Sequence, residues 1–538
     1  MESPIVSRQQ LFALTATLLL SLPAGYEPDH FAKALFIGAA MQSAAYALIL
    51  MWVTHRSSTL QNAVLALLYL LFFTETFTYA CFGSRLNPAI VTLILQTSWQ
   101  ETAEFARVFL LTPKSLLCIA VGMALPLAYR WLWQRCSTDS WPRRWPGKVL
   151  ATAVAAGGVA LWLNILPFPL GMNTLNEAMH SCLFVAESHR DIETMTAMID
   201  RISIRQPADS AETPPTIVLV IGESFDKHHS SLYGYPLSTS PHLKAERDSG
   251  SLTIFTHAET PTNGTAFAMR YLFTQKGCED SDHDSLACIV MPAVFKKAGW
   301  TVTYIDNQYT RASGGELDYS CGYFLNPQYI NSHSFDYRNT TRSPYDADFI
   351  AEQSSHLQRH PRSLNIIHLM GQHFDARQRF PDTFARFTAT DIHRPGLSKQ
   401  QRQQVADYDN ATLYNDHSLW TILNLFRKSD AVVVCLSDHG ELVYEGADRL
   451  FGRSFASVQD TTALKHVFQI PLMIWCSDSY QQRHAQTCER IRQAAHRHVC
   501  LADVPFLLYE LAGISFNYDQ PHRSCISPAF RPHPVKKK

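Results

Sequence analysis

Residues 216–236 read TIVLVIGESFDKHHSSLYGYP. The first seven are apolar and mostly β-branched with no polar alternation, the pattern of a strand buried on both faces. A carboxylate, Glu223, follows at once, and then a polar segment rich in His, Ser and Tyr. Four further runs share the pattern: TVTYID (301–306), LNIIHLMG (364–371), AVVVCLSD (431–438) and QIPLMIW (469–475). Helical patterns lie between them, so residues 213–538 are expected to form an α/β domain with a parallel or mixed sheet covered on each side. In such sheets the ligand site forms outside the carboxyl ends of the strands. The residues there are Glu223, Asn307, His373, Asp438 and His439. Carboxylates and imidazoles converging from distant positions suit a metal, with Zn²⁺ the first choice and Mn²⁺ the second. Any one of them alone would be a cap or a turn residue.

A nucleophile is sought next. Cys435 lies mid-strand and reads as an inert buried thiol. In HAETPTNGTAFAMRYLFT (257–274), Thr265 follows Gly264 and opens an apolar, helix-like run. Its hydroxyl would sit at a helix N-terminus, where amides and the helix dipole favour an anion. The plainer alternative is that Thr265 only caps that helix.

The remainder of the chain has a different solvent. Apolar segments at 10–26, 32–54, 60–82, 112–133 and 148–168 approach the roughly 20 residues needed to cross a bilayer. The loop holding Arg130, Arg135, Arg143, Arg144 and Lys148 marks the cytoplasmic side, which places residues beyond 168 outside the cytoplasm. Residues 1–168 are therefore expected to be a five-helix membrane domain, 169–212 a linker with a bridging helix, and 213–538 a periplasmic catalytic domain. Glu75 falls inside the third span, where an ionisable group is costly. With 46 Lys and Arg against 47 Asp and Glu the net charge is −1, which gives no support to nucleic-acid binding. The twelve Cys include no CxxC pair. Cys278 and Cys288 are near enough in sequence to close a small loop; Cys321, Cys476, Cys488, Cys500 and Cys525 offer other pairings.

Taken together, four blocks resemble the bacterial inner-membrane phosphoethanolamine transferases, membrane members of the alkaline phosphatase/sulfatase superfamily. They are IVLVIGESFDKHHSSLYGYPLSTSPHL (217–243), IIHLMGQHFDARQRFP (366–381), YDNATLYNDH (408–417) and CLSDHGE (435–441). The loop segment LQTSWQETAEF (95–105) is similar to one the family keeps between its third and fourth spans. The resemblance implies an alkaline phosphatase/sulfatase-like α/β sandwich behind the five helices. It implies Zn²⁺ held by Glu223, Thr265, Asp438 and His439, in one tight site with a second left open, and Thr265 as nucleophile. It implies His373 and a second His as contacts for the transferred group or a second metal. Phe451 stands where many members carry that second His, and His466 is the substitute, as in the lipopolysaccharide core-modifying type. Pro261 and Tyr271 replace a Cys pair that flanks the nucleophile in many lipid A-modifying members, which leaves Thr262 as an alternative nucleophile. Thr97, Glu101 and Asn307 are the candidate substrate contacts.

The expected reaction is transfer of phosphoethanolamine from phosphatidylethanolamine to lipopolysaccharide or another envelope glycan, by a monomer among membrane lipids. The alternatives are a phosphoglycerol transferase, a related sulfatase-superfamily hydrolase, and a non-catalytic membrane-anchored metal sensor. Thr265 lacks the Cys/Ser-x-Pro-x-Arg context of a sulfatase.

Overall fold

The computed structural model describes residues 190–205, 213–278, 285–308, 323–446, 451–453 and 460–532, together with scattered helical positions between 66 and 124. The chain divides into two units, Met1–Val185 with Ser454–Ser457, and Ala186–Arg453 with Val458–Lys538. In the first unit, positions 66–77 and 116–124 contribute helical residues. They meet at Gly122, where an added Cβ would come within 2.6 Å of the Phe73 ring. Among the described residues no helix is long and apolar enough to cross a membrane. Of the five expected spans only scattered positions of the third and fourth are described, and Glu75, Thr97 and Glu101 lie outside the described residues.

The second unit is built on a seven-stranded sheet. Its strands are β1 (Thr216–Gly222), β2 (Leu252–Phe255), β4 (Thr301–Asp306), β5 (Tyr337–Arg338), β6 (Ser363–His368), β7 (Ala431–Ser437) and β8 (Leu472–Cys476), while β3 (His257–Glu259) and β9 (His498–Cys500) pair separately. The spatial order is β2-β8-β7-β1-β6-β4-β5. Strands β7, β1, β6, β4 and β5 run parallel, and β8 runs antiparallel to both its neighbours. The sheet is thus mixed, and the strand expected over 469–475 is the one that reverses.

The unbroken apolar run of β1 is explained by two cores. Ile217, Leu219 and Ile221 enter one, and Val218 and Val220 enter the other. Strand β7 splits in the same way, with Val432, Val434 and Leu436 on one face and Val433 and Cys435 on the opposite one. Each such side chain contributes roughly 1.5–3 kcal/mol by leaving water. The covering helices that concern the site are α1 (Pro241–Asp248), α2 (Thr265–Phe273), α3 (Asp346–Gln353), α4 (Lys399–Phe426) and α5 (Thr461–Phe468).

The segment read as a linker joins this unit from residue 190 onward. A helix over 190–201 buries Met195, Met198 and Ile199 in the first core. Ile204–Arg205 then pairs antiparallel with Ser515–Phe516. Tertiary packing recruits a segment whose polar-apolar pattern reads locally as a bridge. The cysteines also depart from the short-loop pairing. The Sγ of Cys278 lies 3.0 Å from that of Cys500, whereas Cys288 accepts a hydrogen bond from Arg270 Nη2 at 3.5 Å.

Candidate active site

Because β1, β7, β6 and β4 are parallel, the residues after them meet at one edge. Glu223 follows β1, Asp438 and His439 follow β7, His368 ends β6, and Asn307 and Gln308 follow β4. The backbone locks this edge. Asp438 N donates to the Gly222 carbonyl at 3.1 Å, and Gln372 N donates to the Glu223 carbonyl at 3.0 Å. Gly371 has φ +52°, and a Cβ there would stand 2.6 Å from the Glu223 carbonyl oxygen, so that position admits only glycine without displacing the Glu223 backbone. Ser224 takes φ +55° with a side chain present, a strained conformation held by two bonds. Its amide donates to Asp438 Oδ1 at 3.2 Å, and its hydroxyl donates to Glu223 Oε1 at 2.7 Å.

Glu223, Asp438 and His439 are fully buried, and one donor atom from each lies within 4.8 Å of the others. His439 Nε2 is 3.0 Å from Asp438 Oδ2 and 3.4 Å from Glu223 Oε1. His439 Nδ1 donates to the Gly440 carbonyl at 2.9 Å, which turns Nε2 toward the cluster and fixes the tautomer a metal ligand needs. Thr265 joins from the first turn of α2, whose N-cap is Gly264. Its Oγ1 donates to Glu223 Oε2 at 3.0 Å and stands 3.1 Å from His439 Nε2. Thr262 is placed elsewhere: its hydroxyl accepts the Gly264 amide at 3.2 Å and stabilises the turn before α2.

The charged groups of this cluster shift one another. Burial disfavours ionisation of Asp438, yet His439 and Arg453 hold its carboxyl well below the usual range. Burial likewise opposes the charge on His439, and the Asp438 carboxylate outweighs it and raises the imidazole. Burial lifts the neighbouring Glu441 to about 7. Asp438 Oδ2 is buried with no hydrogen-bond donor. Two buried carboxylates, one of them with an open oxygen, face a single imidazole, and mixed O and N donors suit Zn²⁺. The residues therefore fit a divalent cation. A guanidinium already approaches that position, since Arg453 Nη1 donates to His439 Nε2 at 2.6 Å and reaches Thr265 Oγ1 at 3.5 Å.

His373 is buried on the turn after β6, and its Nδ1 has no hydrogen-bond partner. Burial lowers its pKa to about 3 and keeps the imidazole neutral. His466 arrives from the other direction. It lies in the last turn of α5, just ahead of the antiparallel strand β8, so it reaches the edge where the parallel strands end. Its backbone carbonyl packs so closely on Gly440 that a Cβ there would lie 1.9 Å away. His466 Nδ1 meets the buried Asp226 Oδ2 at 2.5 Å, which leaves Nε2 as the outward nitrogen. The His228 ring stands 4.7 Å from that of His466.

Asn307 faces away from this chemistry. Its Nδ2 donates to Asp346 Oδ1 at 2.8 Å, and its Oδ1 accepts the Ser343 amide at 2.9 Å. Asp346 in turn accepts the amides of Met370 and Gly371, each at 2.9 Å, so Asn307 braces the turn that carries His373. Its neighbour Gln308 makes the contact instead: Nε2 donates to Glu223 Oε2 at 3.1 Å and to the Leu369 carbonyl at 2.8 Å. Sequence reading missed Gln308, Arg453 and Asp226. Gln308 lies one residue beyond the position expected from the end of β4. Arg453 lies two beyond Phe451, in a segment searched only for His.

A second buried cluster lies close by. His229 is held between Asp409 (Nδ1 to Oδ1, 2.6 Å) and Glu445 (Nε2 to Oε1, 3.1 Å). The Tyr235 hydroxyl donates to the remaining Asp409 oxygen at 2.8 Å, and Arg394 pairs with Glu445. Burial opposes the charge on His229, but the two carboxylates raise its pKa to about 10.

The sulfatase family pattern matches residues 215–514. The chain is similar to phosphoethanolamine transferase EptC of Escherichia coli O18:K1:H7 (strain RS218 / NMEC), with 25% identity over 486 residues covering 84% of this chain and 80% of that protein. Among solved structures it matches the C-terminal periplasmic domain of EcEptC from Escherichia coli in complex with Zn, at 27% identity and TM-score 0.52, covering 62% of this chain and 91% of that one. Neisseria meningitidis EptA, an integral membrane protein and lipooligosaccharide phosphoethanolamine transferase, shares the fold over 98% of this chain and 99% of its own, with TM-score 0.66 and 18% identity.

Proposed function

The chain belongs to the sulfatase family and is an enzyme of its phosphoethanolamine transferase group, and from that premise we propose that it transfers phosphoethanolamine from phosphatidylethanolamine to a lipopolysaccharide or other envelope glycan acceptor through a phospho-Thr265 intermediate. The carrying observation is the Thr265 hydroxyl, at a helix N-terminus and 3.0 Å and 3.1 Å from Glu223 and His439, inside a buried cluster of mixed O and N donors. Glu223, Asp438, His439 and Thr265 would hold Zn²⁺. When bound, the ion lowers the pKa of a coordinated hydroxyl and offsets charge on phosphoryl oxygens.

In the first half-reaction Thr265 Oγ1 attacks phosphorus, its proton passing toward Glu223 Oε2. The bond from phosphorus to the diacylglycerol oxygen breaks, and that oxygen takes a proton from His466, which Asp226 orients. In the second, an acceptor hydroxyl gives its proton to His466 and attacks phospho-Thr265. The P–Oγ1 bond breaks and Thr265 recovers its proton. The first-turn amides of α2 and the Arg453 guanidinium face the charge that builds on the phosphoryl group. His373, neutral through burial, can donate an N–H to a phosphoryl oxygen without adding charge. The five N-terminal spans would keep this domain on the outer face of the inner membrane, within reach of a lipid donor.

The test is the mass of the Thr265-containing peptide after the full chain is incubated with Zn²⁺ and phosphatidylethanolamine in detergent. A phosphoethanolamine adduct is expected with release of diacylglycerol, and neither should occur in Thr265→Ala. An unmodified peptide in Zn²⁺-loaded protein, with no diacylglycerol formed, would sink both the donor and the intermediate.

A further inference from the structure

The nucleophile segment is clasped at both ends by one strand. It is entered from β3, which pairs parallel with β9 so that Glu259 lies opposite Cys500. The chain then passes through Thr260–Gly264 and helix α2, and leaves through Thr274, which bridges to Val290. Gln275 is fixed next, its amide donating to the Ile289 carbonyl at 3.1 Å and its carbonyl accepting from Arg523 Nη1 at 3.1 Å. Three residues later Cys278 returns to Cys500, Sγ to Sγ at 3.0 Å. Both cysteines are buried.

We propose that Cys278 and Cys500 form a disulfide in the mature enzyme and that this bond braces the helix carrying Thr265. The proposal rests on the reading that places this domain outside the cytoplasm, where disulfides persist. The separation is about 1 Å from an S–S bond of roughly 2.05 Å, so closure needs only a small side-chain adjustment. The other described cysteines near this segment offer no rival partner. Cys288 is engaged by Arg270, Cys435 lies in the opposite core, and Cys476 and Cys488 bond each other. This bond would hold the helix of Thr265 against the sheet edge.

The chemistry is a thiol–disulfide exchange. One cysteine thiolate attacks the disulfide of a protein thiol–disulfide oxidoreductase and forms a mixed disulfide. The second thiolate then displaces the oxidoreductase sulfur. Two electrons leave with the oxidant, and the two protons given up by Cys278 and Cys500 are taken up by its sulfurs, so it departs as the dithiol. Exchange belongs to the folding stage. Once folded, the hydrogen bond with Cys278 and burial push the Cys500 thiol far up, which removes the thiolate.

The experiment uses the full chain purified from membranes without reductant, denatured, alkylated and mapped by tryptic mass spectrometry. A linked pair of peptides is expected, one holding Cys278 and Cys288 and the other Cys500, separating on reduction. The link should survive in Cys288→Ser and vanish in Cys278→Ser. Alkylation of both Cys278 and Cys500 in the unreduced protein would overturn the proposal, as would a Cys278–Cys288 link. Transfer activity is assayed on the same sample, so an active enzyme with free thiols would reject the bond and leave the proposed reaction standing. Bracing is tested by the melting temperature of Cys500→Ser, expected to fall by roughly 5 °C. An unchanged melting temperature with the wild-type link present would refute the bracing role.

Discussion

Two buried clusters of histidine and carboxylate lie beside the same sheet edge, and they differ in what is left over. Around His229 every strong group is matched: both imidazole nitrogens meet carboxylates, Tyr235 takes the spare Asp409 oxygen, and Arg394 balances Glu445. Around Glu223, Asp438 and His439 the shell stays open although the Arg453 guanidinium approaches His439 and Thr265. Asp438 Oδ2 has no donor, and a reactive hydroxyl points inward. A completed network serves rigidity, because any ligand entering it must first break bonds worth keeping. An incomplete one serves binding, because the ligand supplies what is missing. Composition alone would rank the two clusters equally.

The contrast is most exposed to His439→Ala. Zn²⁺ affinity is expected to fall by at least 100-fold, and transfer with it. Chelator competition and a thermal melt on one sample decide this. A large fall in stability with affinity retained would mean that the open cluster is structural after all.

Asp409→Asn should do the opposite. It leaves a buried His229 with one carboxylate fewer, and removing one partner of a buried pair typically costs about 3–5 kcal/mol. Urea unfolding should register that loss with Zn²⁺ affinity within about threefold of wild type. Affinity falling in step with stability would show that the clusters act as one.

Titration separates them by sign. The folded pKa of His229 is raised to about 10, so its contribution is complete below 6.5 and is lost only as pH rises through 10. His373 is depressed to about 3, so its contribution is complete above 6.5 and is lost as pH falls toward 3. Unfolding free energy measured against pH should therefore decline on an acid limb between 6.5 and 3 that is shallower in His373→Gln. An unchanged acid limb in that variant would remove His373 from the balance.

The smallest expected effect belongs to Gln308→Ala, which deletes the amide bonded to Glu223 Oε2. Zn²⁺ affinity should drop about tenfold with no change in fold, since support of a ligand typically weighs that much. No change by metal titration would make Gln308 a bystander.

How much was legible in advance differs residue by residue. Glu223, Asp438 and His439 could be placed at one edge from sequence because each directly follows an apolar run, and parallel strands must end together. Thr265 was legible as a helix start. His466 was not legible by that logic, since it precedes its strand. Only the antiparallel course of β8 carries it to the right edge. Asn307 and Gln308 show the limit at one-residue scale. Which of two adjacent amides turns toward Glu223 depends on Asp346, 38 residues further along the chain from Gln308, whose carboxylate claims the first.

The apolar runs and the residues that close them were enough to establish an α/β sheet and the edge at which Glu223, Asp438 and His439 meet, because strand burial and strand-end placement are short-range consequences of local pattern. Tertiary structure alone decided which polar groups were satisfied. It filled the shell around His229, left Asp438 Oδ2 open, and brought Cys278 to Cys500. Those outcomes turn on contacts between segments far apart in the chain, and a hydrogen bond is formed or missed within a few tenths of an ångström that no local pattern encodes.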